Sequence, residues 1–159
     1  MQTTETRLFS SRGEFHQCVV ELLARTRLTV AMADRDFSDW PLESPAVFEA
    51  LSRILRTPDA SVRLVVQQPE WLERYGARFG RLRRDFAGRI ECRQPPPALR
   101  TRDGLMLGDR GHLLRRADVD AFRGRALFAA AEGLDPWRIR FESLWDESTP
   151  CLAPTSLGL

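Results

Sequence analysis

Phe15, Cys18, Val19, Leu22 and Leu23 recur every three or four positions, the spacing of one face of an α-helix. Ser11-Arg12-Gly13-Glu14 precedes them as a capping box, with a Ser to bond a forward amide and a Glu to reach back. The helix is expected to reach about Arg27. "LTVAMAD" (28–34) reads as a buried strand, and the polar loop "RDFSDWPLE" follows it. Ser44-Pro45 opens a second helix that turns Val47, Leu51, Ile54 and Leu55 inward and stops before Pro58. "SVRLVVQQ" (61–68) is a second strand. "PEWLERYGARFGRLRRDF" (69–86) predicts one amphipathic helix with Trp71, Leu72, Tyr75, Phe79, Leu82 and Phe86 on one side. Gly76 and Gly80 weaken it by about 1 kcal/mol each relative to Ala. "RIECRQ" (89–94) is a third strand and "PPPALR" a stiff connector. Residues 104–109 and 112–116 form a hairpin, with Gly111 suited to the left-handed position of its loop. Asp135-Pro136 starts a last helix bearing Ile139, Phe141, Leu144 and Trp145.

With a short strand expected at 7–10, strands alternate with helices. That order predicts an α/β fold: a mixed, mostly parallel sheet with helices on both faces, the terminal hairpin supplying the mixed part. The expected division is a flexible N-terminus (1–7), one domain (8–150) and a loose tail (151–159). No internal repeat or second domain is visible.

Composition narrows the chemistry. A length of 159 residues, 43% hydrophobic and 29% charged, fits one globular domain with a sizeable core. All 24 basic residues are arginine. A chain without lysine has no Schiff-base nucleophile and no P-loop cation. The net charge of +2 is too small to announce a nucleic-acid partner. Cys18, Cys92 and Cys151 are scattered, which predicts free thiols in a reducing compartment. The opening residues show no signal-peptide pattern, and no apolar run approaches the roughly 20 residues of a membrane span. A cytoplasmic location and no membrane contact are expected.

Three parts of the chain together resemble one half of the phospholipase D superfamily. They are the opening helix and strand "GEFHQCVVELLARTRLTVAMAD", the Asp hairpin, and the closing helix with "FESLWDEST". The resemblance covers about residues 8 to 150 and implies that fold. It also implies a signature of His, Lys two residues on, and Asp five further. The His is the covalent nucleophile and the Lys binds phosphate, with two half-folds facing each other. Counting back from Asp109 puts Arg102 at the His position and Gly104 at the Lys position. Arg102 cannot be a nucleophile and Gly104 offers no cation, so the resemblance implies the fold without its phosphodiesterase chemistry. His112 follows the Asp and is no shifted copy. The chain is also similar to a bacterial domain of unknown function sometimes attached downstream of acetyltransferase domains, which implies an accessory role.

The candidate ligand-binding residues are Arg102, Asp109, His112, Arg115, Asp34 and Asp36. Asp109 is expected foremost to form its own turn. The loop "DRDFSDW" (34–40) follows a strand end, where ligands collect in α/β sheets; the bland reading makes it a solvated loop with Trp40 packed on the core. Arg74, Arg78, Arg81 and Arg84, with Arg83 and Arg89, could form a basic ridge, against an ordinary Arg-rich exposed face. Arg100, Arg102, Arg115 and Arg116 form a second set that could hold an anion. His16 reads as a packed or capping residue. With His16 and His112 the only histidines, no His-rich metal site can be built, and no G-x-S-x-G elbow occurs. No cofactor, metal or catalytic residue is expected. Three functions are in play: a non-catalytic binding or assembly module, expected as a homodimer; a phosphate or nucleic-acid binder using the arginines; and an enzyme rebuilt around Asp34, Asp36 and His112.

Overall fold

Both helix starts form as the sequence dictates. Ser11 Oγ accepts from the Glu14 amide at 3.2 Å, while Glu14 reaches back to the Ser10 amide at 3.1 Å. Ser44 Oγ accepts from the Val47 amide at 3.2 Å, with Pro45 in the first turn. The computed structural model describes residues 3–152. Its elements are β1 (Glu5–Phe9), α1 (Arg12–Arg25), β2 (Thr29–Asp34), α2 (Pro45–Arg56), β3 (Ser61–Val66), α3 (Glu70–Tyr75), α4 (Ala77–Asp85), β4 (Ile90–Gln94), β5 (Gly104–Gly108), β6 (His112–Arg116), β7 (Gly124–Phe128), α5 (Asp135–Glu147) and β8 (Thr149–Cys151).

Among the described residues the strands make one eight-stranded sheet in the order β1-β7-β6-β5-β2-β3-β4-β8. The sheet is α/β and mixed, with helices on both faces. It is not mostly parallel. Only β2–β3 and β3–β4 pair in parallel, joined through α2 and through α3 and α4. Every other neighbouring pair is antiparallel. After β4 the chain lays down β5, β6 and β7 by antiparallel pairing with β2, β5 and β6 in turn, and α5 then carries it from β7 across to β8 at the opposite edge. One layer of core lies under α1, α2 and α4, with Phe15, Leu22, Met32, Leu51, Leu64, Phe79 and Phe128 among its buried members. The other lies under α5, where Phe141 and Trp145 cover Ala31, Val65, Leu105 and Leu107.

Several boundaries differ from the pattern-based expectation. Glu5, Thr6 and Arg7, assigned to a flexible N-terminus, pair with Phe128, Leu127 and Ala126 of β7. β7 itself has no clear apolar signature, since Gly124 and Arg125 interrupt it. The expected helix over 69–86 breaks at Gly76, where a Cβ would lie 2.5 Å from the Leu72 carbonyl oxygen. β8 pairs with β4 at the opening of what was expected to be a loose tail; residues 153–159 of that tail lie outside the described residues. β1 and β8 are the two edges of the sheet. No described helix is long and apolar enough to cross a membrane.

The hairpin loop carries two left-handed residues, Arg110 at φ 66° and Gly111 at φ 82°. A Cβ on Gly111 would also meet the Ala130 carbonyl oxygen at 2.2 Å. Gly111→Ala therefore combines an unfavourable φ with a backbone clash, and should cost about 2 kcal/mol or more in urea unfolding. The exposed Gly133, also at positive φ but with open space around its Cβ, should lose only about 1 kcal/mol as Gly133→Ala.

Candidate functional site

The parallel strands β2, β3 and β4 end together, and β5 begins antiparallel beside the end of β2, with Ala33 opposite Leu105. Asp34 closes β2 and is 3% exposed. Its Oδ2 accepts from the amides of Asp36 (3.2 Å) and Phe37 (2.9 Å), an Asx-type turn that starts the loop. Its Oδ1 has no partner among the described residues. Burial pushes the carboxyl above its ordinary range, against the pull of the Phe37 amide. The loop then folds inward. Trp40 lies 5.1 Å from Phe15 and 5.3 Å from Phe37, centroid to centroid, and is buried. Trp40 is thus part of the core rather than a rim side chain.

Gly104, at the start of β5, faces this loop. A Cβ on it would lie 2.9 Å from Asp34 Oδ1, 3.1 Å from the Trp40 ring and 3.5 Å from Arg116 Cβ. Arg116 is 2% exposed and is held from three directions: Ala121 carbonyl (2.6 Å), Val119 carbonyl (2.7 Å) and Asp39 (3.0 Å). The Phe122 ring lies 4.7 Å from its guanidinium. Arg102 stands outside, on the surface, with two 2.9 Å bonds to Asp118 and one of 2.5 Å to Asp120. Arg35 approaches Asp120 at 3.4 Å and Asp36 at 3.7 Å. The rim is a lattice in which each arginine already has carboxylate partners.

Arg115 lies on the other face of the sheet. It bonds Asp103 at 3.2 Å and stacks over Trp137 at 4.0 Å. Arg140 of α5 adds two bonds to the same carboxylate at 2.8 and 2.7 Å. Burial works to raise the Asp103 carboxyl, but Arg140 and Arg115 together hold it below its ordinary range. Arg140 and Trp137 complete this cluster and were invisible to the pattern, because α5 was read only for its apolar side.

Asp109 and His112 lie at the opposite end of the sheet from Asp34. Asp109 does more than form its turn. Its Oδ1 accepts from the Arg27 amide at 3.0 Å, and its Oδ2 from the amides of Leu28 and, at 3.2 Å, Thr29. The hairpin is thereby fastened to the turn between α1 and β2. His112 is buried beside Phe128, and its Nδ1 accepts from the Ala129 amide at 3.1 Å. Burial lowers its pKa. A cavity of about 450 Å³ opens here, lined by Ala24, Arg25, Arg27, Arg53, Arg110, His112 and Ala129. Register puts His112 opposite Gly108 and Gly108 opposite Val30, four residues before Asp34 along β2, a span of about 13 Å. The structure therefore does not bring Asp34, Asp36 and His112 into one cleft.

Of the expected basic ridge, Arg74 lies on α3, Arg78, Arg81, Arg83 and Arg84 on α4, and Arg89 ahead of β4. Arg78 donates to the Glu43 carbonyl at 2.7 Å, Arg83 to the Leu152 carbonyl, and Arg89 to those of Leu55 and Thr57. His16 Nε2 bonds the Asp39 carbonyl at 2.7 Å, the packed role expected of it. No group of three or more His, Cys, Asp or Glu among the described residues could hold a metal ion.

Solved structures share this architecture. TrmBL2, an archaeal chromatin protein whose structure shows a novel mode of DNA binding, matches with a TM-score of 0.67 at 12% identity, over 92% of this chain and 54% of that one. Nuc, a phospholipase D family member from Salmonella typhimurium, matches with 0.66 at 12% identity, over 94% of this chain and 99% of that one. NucT from Helicobacter pylori matches with 0.63 at 11% identity, over 94% and 100%. The chain spans about half the length of the chromatin protein and nearly all of the two others. At these identities the likeness is one of fold, and that fold is phospholipase D-like, as the sequence resemblance implies. No curated protein matches the chain. Residues 11–157 match the family described as Domain of unknown function (DUF7931), and the chain belongs to that family.

Proposed function

We propose that this phospholipase D-like domain is a binding or assembly module without phosphodiesterase chemistry, working as a pair of identical copies. The observation that carries the reading is the crowding around Gly104. The resemblance assigns that position to a phosphate-binding Lys, yet a Cβ there would meet Asp34 Oδ1 at 2.9 Å and the Trp40 ring at 3.1 Å. A buried acid and an indole occupy the space such a side chain would cross. Arg102, at the nucleophile position, points its guanidinium at Asp118 and Asp120. The pairing of copies follows from the resemblance, because half-folds of this kind complete themselves by facing one another. A nucleic-acid reading would rest on Arg78, Arg81, Arg83 and Arg84 of α4, of which Arg81 is paired with Asp85.

Two measurements test this. The purified chain should release no nitrophenol from bis(4-nitrophenyl) phosphate above the buffer rate. Turnover that survives repurification would sink the non-catalytic reading. Light scattering after size exclusion should give twice the chain mass, and a strict monomer at high micromolar concentration would remove the paired form.

Asp34 supplies a third test, through pH. Its folded pKa is raised above the ordinary 3.8, so the native state keeps this proton longer than the unfolded chain. Stability therefore falls as pH climbs from about 3.8 through the raised value. Asp34→Asn keeps an oxygen for the Asp36 and Phe37 amides and removes the charge. It should match or exceed the parent in urea at pH 7, an advantage that vanishes near pH 3. A clear loss of stability at pH 7 would show that the charge itself is needed.

A further inference from the structure

The cavity at the Asp109 end collects four arginines from three separate segments. Arg25 and Arg27 come from the end of α1 and the turn after it, Arg53 from α2, and Arg110 from the hairpin tip. Arg25 is neutralised by Glu5 and Glu21, each at 2.8 Å. Arg27, Arg53 and Arg110 make no salt bridge among the described residues. The contrast with the rim at the other end is direct: there Arg35 and Arg102 both meet carboxylates.

Asp109, in the same hairpin loop as Arg110, is not available to them. Its carboxylate is committed to the backbone amides of Arg27, Leu28 and Thr29. Arg53 is held in place by carbonyls instead, donating to Leu23 at 2.8 Å and Ala24 at 3.4 Å at the end of α1. Arg110 occupies a left-handed conformation at φ 66°, which sets its side chain at the tip of the hairpin between Asp109 and Gly111.

We infer that this cup binds a small, multiply charged phosphate compound, with Arg27, Arg53 and Arg110 as its ligands. Guanidinium forks match phosphate oxygens and stay charged at any working pH. The volume of about 450 Å³ lies in the range of small-ligand sites. Convergence from three segments favours a compact ligand, whereas a nucleic-acid backbone needs cations spread along a track. Ala24 and Ala129 give the cup an apolar patch on which an ester group can rest. The inference names a ligand for the binding module proposed above, but it does not use the crowding at Gly104. The phosphodiesterase and light-scattering results leave it untouched.

Isothermal titration of the whole chain with inorganic pyrophosphate at low salt tests it. One site per chain should bind, with a thermal midpoint that rises with ligand concentration. The double variant Arg27→Gln, Arg110→Gln should bind at least 10-fold more weakly, because both side chains are exposed and the fold does not depend on them. Arg81→Gln, on the remote surface of α4 and paired with Asp85, should bind like the parent. Absence of heat and of any midpoint shift would overturn the cup, as would equal losses in the double variant and in Arg81→Gln. A short DNA duplex that binds more tightly than pyrophosphate, and competes with it, would overturn the small-ligand assignment.

Discussion

The carboxylate of Asp109 joins the two halves of this molecule. On one side of it lie the parallel strands β2, β3 and β4 with their crossover helices; on the other lie the antiparallel strands β5, β6, β7 and β1. The seam between them is the β2–β5 pair, and Asp109 sits at its end, accepting the amides of Arg27, Leu28 and Thr29 as the chain enters β2. Its own amide donates to the Thr29 carbonyl at 3.2 Å, continuing the ladder by one rung. Hydrogen bonds to an ionised acceptor are each worth about 1.5–3 kcal/mol, and they fix the register of the seam on which every outer strand is laid.

Once the seam is set, the two ends of the sheet acquire opposite characters. At the Asp34 end the loop folds inward, aromatic rings pack against Gly104, and charges are matched residue by residue. At the Asp109 end the carboxylate is used up by backbone, and of the four arginines around the cavity only Arg25 has acidic partners among the described residues. One end has been closed and neutralised while the other has been left open and positive. An Asp that resemblance attaches to a catalytic signature is thus explained by backbone chemistry alone.

Much of the fold was legible in the sequence because local chemistry and tertiary packing agree there. Ser11, Ser44 and Pro45 place helix starts, and the apolar faces of α1 and α2 face the core as their spacing requires. The failures are also local in cause. Gly76 reads as a weak point in one helix, but there the chain leaves helical geometry (φ −93°, ψ 49°) and approaches the Leu72 carbonyl too closely for any side chain, and the helix divides in two. β1 overlaps the strand expected at 7–10 but starts earlier, while β7 and β8 carry Arg, Gly or Pro among few apolar residues and become strands because neighbours offer free edges. The site was less legible still. Spacing identified Arg102, Gly104 and Asp109 as positions worth asking about, but not that Trp40 stands against Gly104. Pairing partners such as Asp118, Asp120 and Arg140 come from distant segments, and no periodicity announces them. Arg25, Arg27, Arg53 and Arg110 share a cavity through topology, with no common motif.

The two edges of the sheet are unequal, and this bears on how copies of the chain can add to one another. β8 has only three residues, with Pro150 at its centre, so that edge lacks a donor where a further strand would need one. β1 has five residues, and Leu8 stands 73% exposed on it. Growth by strand addition into an open-ended fibre needs two receptive edges on every copy. A sheet with one receptive edge can extend only onto the same edge of another copy, across a two-fold axis. Such an association terminates at two.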